Sequence, residues 1–364
     1  MEKRITKVQD GLKRSDEAAI ILSGVNRLYF SGFKSSAGLI LITKSVAYLI
    51  VDFRYGEAAK AQVKHLNVEV YKSLSRTLQG LLKEHGVHKV YFENNGVTLK
   101  QAEFYKEMLK SIEIKPVFDT YLDAIIDNLR IIKSDDEIQK IIQAQKITEK
   151  AYLEILNYIK PGVMERDIAL ELEYLMRKKG ADTVAFDLIT ITGKNTSKPH
   201  GVPGEALVCE GDFFTMDIGA RFEGYNSDMT RTVAVGQVSD EQRNIYETVL
   251  KAQLSALNEI KPGVPAEKID SAARDVITSA GFGNCFGHAT GHGVGLDIHE
   301  LPAVSAKNQT LLSAGMVITC EPGIYLPDKF GVRIEDMVLV TAKGCKNFTS
   351  IPKDLIILVD CKMK

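Results

Sequence analysis

The pentapeptide Ile-Lys-Pro-Gly-Val occurs twice, at residues 159–163 and again at 260–264, 101 residues later. Each copy ends a stretch with helical spacing, and Pro followed by Gly cannot continue a helix. An acid and a new helical segment follow each, Glu165-Arg-Asp-Ile-Ala in one case and Glu267-Lys-Ile-Asp in the other. A Lys-Pro-Gly terminator can recur by itself. Two helix–turn–helix copies nevertheless predict a duplicated half-domain, with an active site between the copies.

The repeat occupies only the second part of the chain. At 364 residues the sequence exceeds the roughly 150 residues of one ordinary domain. Its first third reads as α/β. The runs Ala37–Thr43 and Val46–Asp52 are β-type and joined by a short polar turn, Lys89–Glu93 is a further strand, and Leu74–Glu84 has helical spacing. Asp52 and Arg54 at a strand end are read as solvated charges or a minor functional pair. A helix start is marked by the capping box Ser134-Asp-Asp-Glu137, and the helix should run toward Tyr158. These signals divide the chain into residues 1–124 and 125–364, an α/β (α+β) arrangement overall.

Lys and Arg number 46 and Asp and Glu 47, a formal net charge of −1. That balance speaks against nucleic acid held by bulk charge and against a polybasic membrane-surface protein. No apolar run approaches the ~18–20 residues that span a bilayer, and the amino-terminal residues lack an apolar signal region. The five cysteines are scattered and never form a Cys-x-x-Cys pair. A disulfide framework or cysteine zinc site is therefore not expected, and a cytoplasmic location is.

The chemistry concentrates in the second part. Of seven histidines, His288, His292 and His299 share one window that four glycines interrupt, and His200 lies in Lys198-Pro-His-Gly201. Glycine admits close backbone approach, so this window can wrap a centre where an amphipathic helix could not. Acids meanwhile sit inside apolar β-type sequence. Asp217 lies in Thr215–Gly219, and Asp228 follows eleven residues later, a spacing that fits a hairpin. Glu321 ends the run from Val317, and Glu335 lies in Gly331–Val340, two residues from Arg333 and so on the same strand face. Asp336 points the other way and is read as structural. A carboxylate in an apolar strand costs several kcal/mol unless paired or bound to metal. An ion pair to Arg231 is the structural alternative for the two aspartates. Two Asp, two Glu and a histidine suit a hard or borderline metal such as Mn, Co, Fe or Zn. Four carboxylates balance two divalent cations, which predicts a dinuclear centre able to activate water and polarise a substrate oxygen.

At these residues the chain resembles the pita-bread metallopeptidases, the group of methionine aminopeptidase, Xaa-Pro aminopeptidase and Xaa-Pro dipeptidase (prolidase). The resemblance covers residues 125–364. It implies that Asp217, Asp228, His292, Glu321 and Glu335 are the metal ligands, because the ligand histidine opens an HGxGxxxH stretch, here His292 to His299. The segment Asn26-Arg-Leu-Tyr-Phe-Ser-Gly-Phe33 is similar to the amino-terminal domain of the creatinase and proline-specific branch. The implied function is hydrolysis of the bond before proline in short peptides, by two divalent ions (Mn or Co first, Zn or Fe next), in a homodimer. It implies His200 and His299 as groups at the scissile carbonyl or the proline side, and His288 and Arg333 as further groups around the substrate. Glu321 would be both ligand and proton shuttle. The alternatives are a creatinase-like C–N hydrolase, which works without metal, a methionine-type aminopeptidase, and a non-catalytic binding module. The complete ligand set argues against the metal-free and non-catalytic readings.

Overall fold

The computed structural model describes residues 1–359 and divides into two compact units, Met1–Arg130 and Ile131–Lys364. The division falls six residues beyond the expected 124/125 cut. Tyr121–Arg130 is one unbroken helix that buries Leu122 and Ile126, and its Tyr121 hydroxyl donates to the Gly11 carbonyl at 2.6 Å, which ties it to the first unit.

The first unit is a six-stranded mixed sheet. Across it run Asn67–Tyr71, Ala47–Asp52, Leu39–Thr43, Glu17–Ile21, Lys89–Phe92 and Lys115–Val117. The central strands bury Ala18, Ile20, Leu39, Leu41 and Ile50, and helices Leu74–Glu84 and Leu99–Lys110 lay Leu78, Leu82, Met108 and Leu109 into the same core. Asp52 caps the helix Phe53–Gln62 by accepting from the Arg54 amide, and its ion pair with Arg54 is the solvated structural contact of the two readings.

In the second unit the two halves repeat. Helices Asp135–Ile155 and Glu165–Lys178 cover a sheet built around Ile189–Thr192, Phe213–Ile218 and Met229–Val235. Helices Asp240–Glu259 and Ala266–Ser279 cover one built around Gly291–Gly293, Val317–Cys320 and Asp336–Val340. The turns match bond for bond. The Gly162 amide donates to the Val208 carbonyl at 2.8 Å, as Gly263 does to Leu312 at 2.8 Å. The amide of Glu165 donates to Ala206 at 3.0 Å, as that of Ala266 does to Thr310 at 3.0 Å. Gly162 and Gly263 have φ of 89° and 81°, in the left-handed region open to glycine, so the repeated glycine serves the repeated turn. The first helix starts at the Ser134–Glu137 capping box but stops at Ile155, short of Tyr158.

Two expectations about strands change. Gly331–Val340 is not one strand. It breaks into Phe330–Arg333, in a hairpin with Gly323–Leu326, and Asp336–Val340, in the five-stranded sheet. The break exists because the Glu335 amide leaves both ladders and donates to Thr230 in the other half at 3.1 Å. Arg231 does not pair with Asp217 or Asp228. Its buried guanidinium meets Asp336 at 2.8 Å and the carbonyls of Glu335 and Ile351, which confirms Asp336 as structural. Cys209, Cys285, Cys320 and Cys345 are free thiols, and Cys361 lies outside the described residues. No helix among the described residues is long and apolar enough to cross a membrane.

Candidate metal centre and substrate cleft

All five ligand-type side chains converge within the second unit. Asp217 stands in the strand Phe213–Ile218, opposite Thr230, and Asp228 immediately precedes the partner strand Met229–Val235, so the antiparallel pair brings both acids together as the spacing predicted. Glu321 directly follows Val317–Cys320, and Glu335 occupies the strand break. Asp228, His292 and Glu335 offer ligand atoms that all lie within 4.8 Å of one another. His292 Nε2 is 3.5 Å from Asp228 Oδ2 and 3.3 Å from Glu321 Oε1. Arg333 Nη2 reaches Asp217 Oδ2 at 2.6 Å.

His292 reaches this point because glycines flank it. A Cβ on Gly291 would stand 2.2 Å from the Thr319 carbonyl oxygen, and one on Gly293 would stand 2.2 Å from that of Leu301. The three-residue strand is thus squeezed between two neighbours. Its imidazole Nδ1–H faces the Gly293 carbonyl at 3.0 Å, which turns Nε2 toward the acids.

The charges are mutually unfavourable without a cation. Burial, then the charges of Glu335, Asp217 and Glu321, push the Asp228 carboxyl well above its ordinary range. Burial and the Glu321 and Asp217 charges do the same to Glu335, although Thr230 donates to its Oε2 at 2.8 Å. Burial alone would also raise Glu321, but its bond to His292 and the nearby Arg333 outweigh that and hold it low. Burial would lower His292, and Glu321 reverses that and raises it. Two buried oxygens, Asp217 Oδ1 and Glu335 Oε1, have no hydrogen-bond partner. Orphaned carboxylate oxygens beside an imidazole nitrogen directed at them are what a divalent-ion site requires of its protein, so the residues fit the metal the ligand set implies.

Beside the acids opens a cleft of about 640 Å³. Asp217, Asp228, His292 and Glu321 line it on one side, with His200, His288, His299 and Arg333 around them and Phe186, Leu188 and Ile298 as apolar wall. His200 is solvent-exposed on its loop yet faces this cleft, and among the described residues the ring nitrogens of His200 and His299 have no hydrogen-bond partner. The His299 ring packs edge-on to His292, with centroids 4.4 Å apart, and burial together with that neighbour lowers its pKa. His288 and Arg333 line the cleft and also bond within the protein. His288 bonds the Ala289 carbonyl through Nδ1 at 2.8 Å and the Tyr325 hydroxyl through Nε2 at 2.9 Å. Arg333 donates to Asp217, Tyr325, Thr230 and the Pro199 carbonyl.

Sequence reasoning passed over Tyr325. Its hydroxyl joins Arg333 (2.8 Å) to His288, and burial pushes its pKa up to about 12, so it stays a proton-bearing link. The threonines Thr230 and Thr319, which bond Glu335 and Glu321, were also missed. A polar residue amid an apolar strand was the available signal for Thr230.

Comparison with known proteins agrees with this geometry. The model of metallopeptidase family M24 matches residues 139–342, and that of the creatinase/prolidase N-terminal domain matches residues 4–132. The chain is 42% identical to the uncharacterized peptidase YqhT of Bacillus subtilis, over 94% of this chain and 96% of that one. It is 39% identical to a Xaa-Pro dipeptidase of Pyrococcus horikoshii, over 98% and 99%. Among solved structures, a Xaa-Pro dipeptidase from Bacillus anthracis superposes with a TM-score of 0.92 at 39% identity, over 98% and 99% of the two chains. An X-Pro aminopeptidase from Thermotoga maritima gives 0.88 at 36%, over 94% and 97%. With its acids, its directed imidazole and both domain models in chain order, this protein belongs to metallopeptidase family M24.

Proposed function

We propose that this protein is a dinuclear-metal exopeptidase that hydrolyses the bond before proline in short peptides. The observation that carries the reading is the convergence of four carboxylates and one imidazole at the head of a half-apolar cleft, two of their buried oxygens lacking any partner. The names of the relatives, Xaa-Pro dipeptidase and X-Pro aminopeptidase over nearly the whole chain, support the proline preference.

Asp217, Asp228, His292, Glu321 and Glu335 would hold two divalent ions, Mn or Co first and Zn or Fe next. Such ions supply Lewis acidity and bring the pKa of water from ~15.7 toward 7. The remaining steps belong to the protein. Glu321 is held low and so ionised at neutral pH, and its carboxylate takes the proton from the attacking water and returns it to the leaving nitrogen. His299, kept neutral by its lowered pKa, and His200 have nitrogens free to donate to the carbonyl oxygen as charge develops there. Arg333, Tyr325 and His288 form a fixed chain that holds Asp217 at the edge of the cleft, and one Nη2 hydrogen of Arg333 is left over for a group beside it. Proline presents no N–H at the scissile bond, so the apolar residues Phe186, Leu188 and Ile298 are suited to hold its ring by contact area.

The test is a panel of Xaa-Pro dipeptides, Xaa-Pro-Yaa peptides, Met-peptides and creatine, assayed with Mn, Co, Zn or chelator. Metal-dependent turnover confined to the proline peptides is expected, and the ratio of dipeptide to tripeptide turnover assigns the branch. Turnover that survives chelator, or a preference for Met-peptides, overturns the reading.

A further inference from the structure

Glu165, the first residue of helix Glu165–Lys178, is completely buried. Among the described residues no ion pair involves it. Its carboxylate is satisfied by three neutral donors. Oε1 accepts from the Thr192 amide at 2.8 Å and Asn195 Nδ2 at 2.9 Å, and Oε2 accepts from the Gly204 amide at 2.9 Å. Thr192 and Gly204 are the two ends of the segment that carries His200. One carboxylate therefore closes the thirteen-residue segment 192–204 at its base. The far side of that segment is held by the Gly331 amide on Thr196 Oγ1 at 2.8 Å and by Arg333 on the Pro199 carbonyl at 3.2 Å.

The internal repeat supplies a control. Ala266 occupies the place of Glu165 in the second half, with the same 3.0 Å backbone bond, and is equally buried. The helix–turn–helix scaffold does not need a carboxylate there, because a methyl group serves it. A buried unpaired charge is costly even at a helix start, where the dipole favours it. In the first half the carboxylate at this position closes the base of the His200 segment, whereas the methyl group at the same position in the second half closes nothing.

We infer that Glu165 is a positioning residue that fixes the His200 segment against the cleft. The inference rests on the reading of His200 as a substrate-facing donor. Glu165→Gln keeps the shape and one acceptor but turns an N–H toward the Gly204 amide, which releases that end. A double-mutant cycle with His200→Ala separates positioning from general support. Each single variant should lose about 10- to 100-fold in kcat/KM on Xaa-Pro peptides, with metal content unchanged. The double variant should be no slower than His200→Ala alone. Additive losses, wild-type rates in Glu165→Gln, or wild-type rates in His200→Ala overturn the inference. Amide hydrogen exchange judges it without turnover. Glu165→Gln should speed exchange in residues 193–204 and leave the rest of the unit as it was, whereas unchanged exchange there overturns it. If no Xaa-Pro peptide is cleaved by the wild type, the proposed function fails, and this exchange measurement still decides the role of Glu165.

Discussion

At the scale of single residues the site is a set of charges placed where they repel. Asp228 and Glu335 both have folded-state pKa values raised well above the ordinary 3.8 and 4.5. At these two groups the metal-free fold therefore binds more protons than the unfolded chain. The stability this represents is fully present below the ordinary value and is lost as pH rises through the raised one. Asp228→Asn should thus make the chelated protein more stable than its parent at pH 8, on the order of 1–2 kcal/mol, and the gap should close toward pH 5. Denaturant titrations in chelator at the two pH values measure this. A variant less stable than its parent at pH 8 would show that the carboxylate cluster is not strained. The four candidate acids were legible because a carboxylate inside an apolar strand needs a reason, and His292 because it opens the HGxGxxxH stretch of the family the chain resembles. Tyr325, Glu165 and the threonines were not, since their importance arises from partners distant in sequence: Glu165 from Gly204, and Tyr325 from His288.

At the scale of elements, two glycines do different work and predict different losses. Gly293 flanks His292 with a neighbouring carbonyl 2.2 Å from its missing Cβ, while Gly162 has φ 89° and open space around it. Gly293→Ala should cost about 1–3 kcal/mol or more by overpacking and should weaken metal retention, because the strand carrying the ligand must shift. Gly162→Ala should cost about 1 kcal/mol through backbone conformation alone, with metal retention normal. Thermal unfolding and equilibrium dialysis of the two variants check the contrast, and equal metal losses would refute it. Helix starts, the Lys-Pro-Gly stops and most strands could be read locally. The break at Glu335 could not, because a bond to Thr230 in the opposite half creates it and periodicity carries no trace of that contact. The boundary between the units differs from 124/125 for a similar reason, as buried Leu122 and Ile126 and the Tyr121–Gly11 bond keep the helix Tyr121–Arg130 whole within the first unit.

At the scale of the molecule, all five candidate ligands lie in Ile131–Lys364. Ligand binding stabilises the state that binds it. Adding Mn to chelated protein should therefore slow hydrogen exchange around the strands of Asp217, His292 and Glu321, with little change in the sheet of the first unit. Equal protection in both units would contradict this. The overall organisation was legible because the repeated pentapeptide marks two matching turns, and the matched bonds of Gly162 and Gly263 bear that out.

The repeat also divides the five candidate ligands between its halves, two in the first and three in the second. Residues up to 236 carry Asp217 and Asp228, those beyond carry His292, Glu321 and Glu335, and the link at 236–239 is a turn with exposed positions. Cut there, the chain would yield two fragments, neither with enough ligands to act. Co-expressed, they would form a molecular AND gate whose output is peptide hydrolysis.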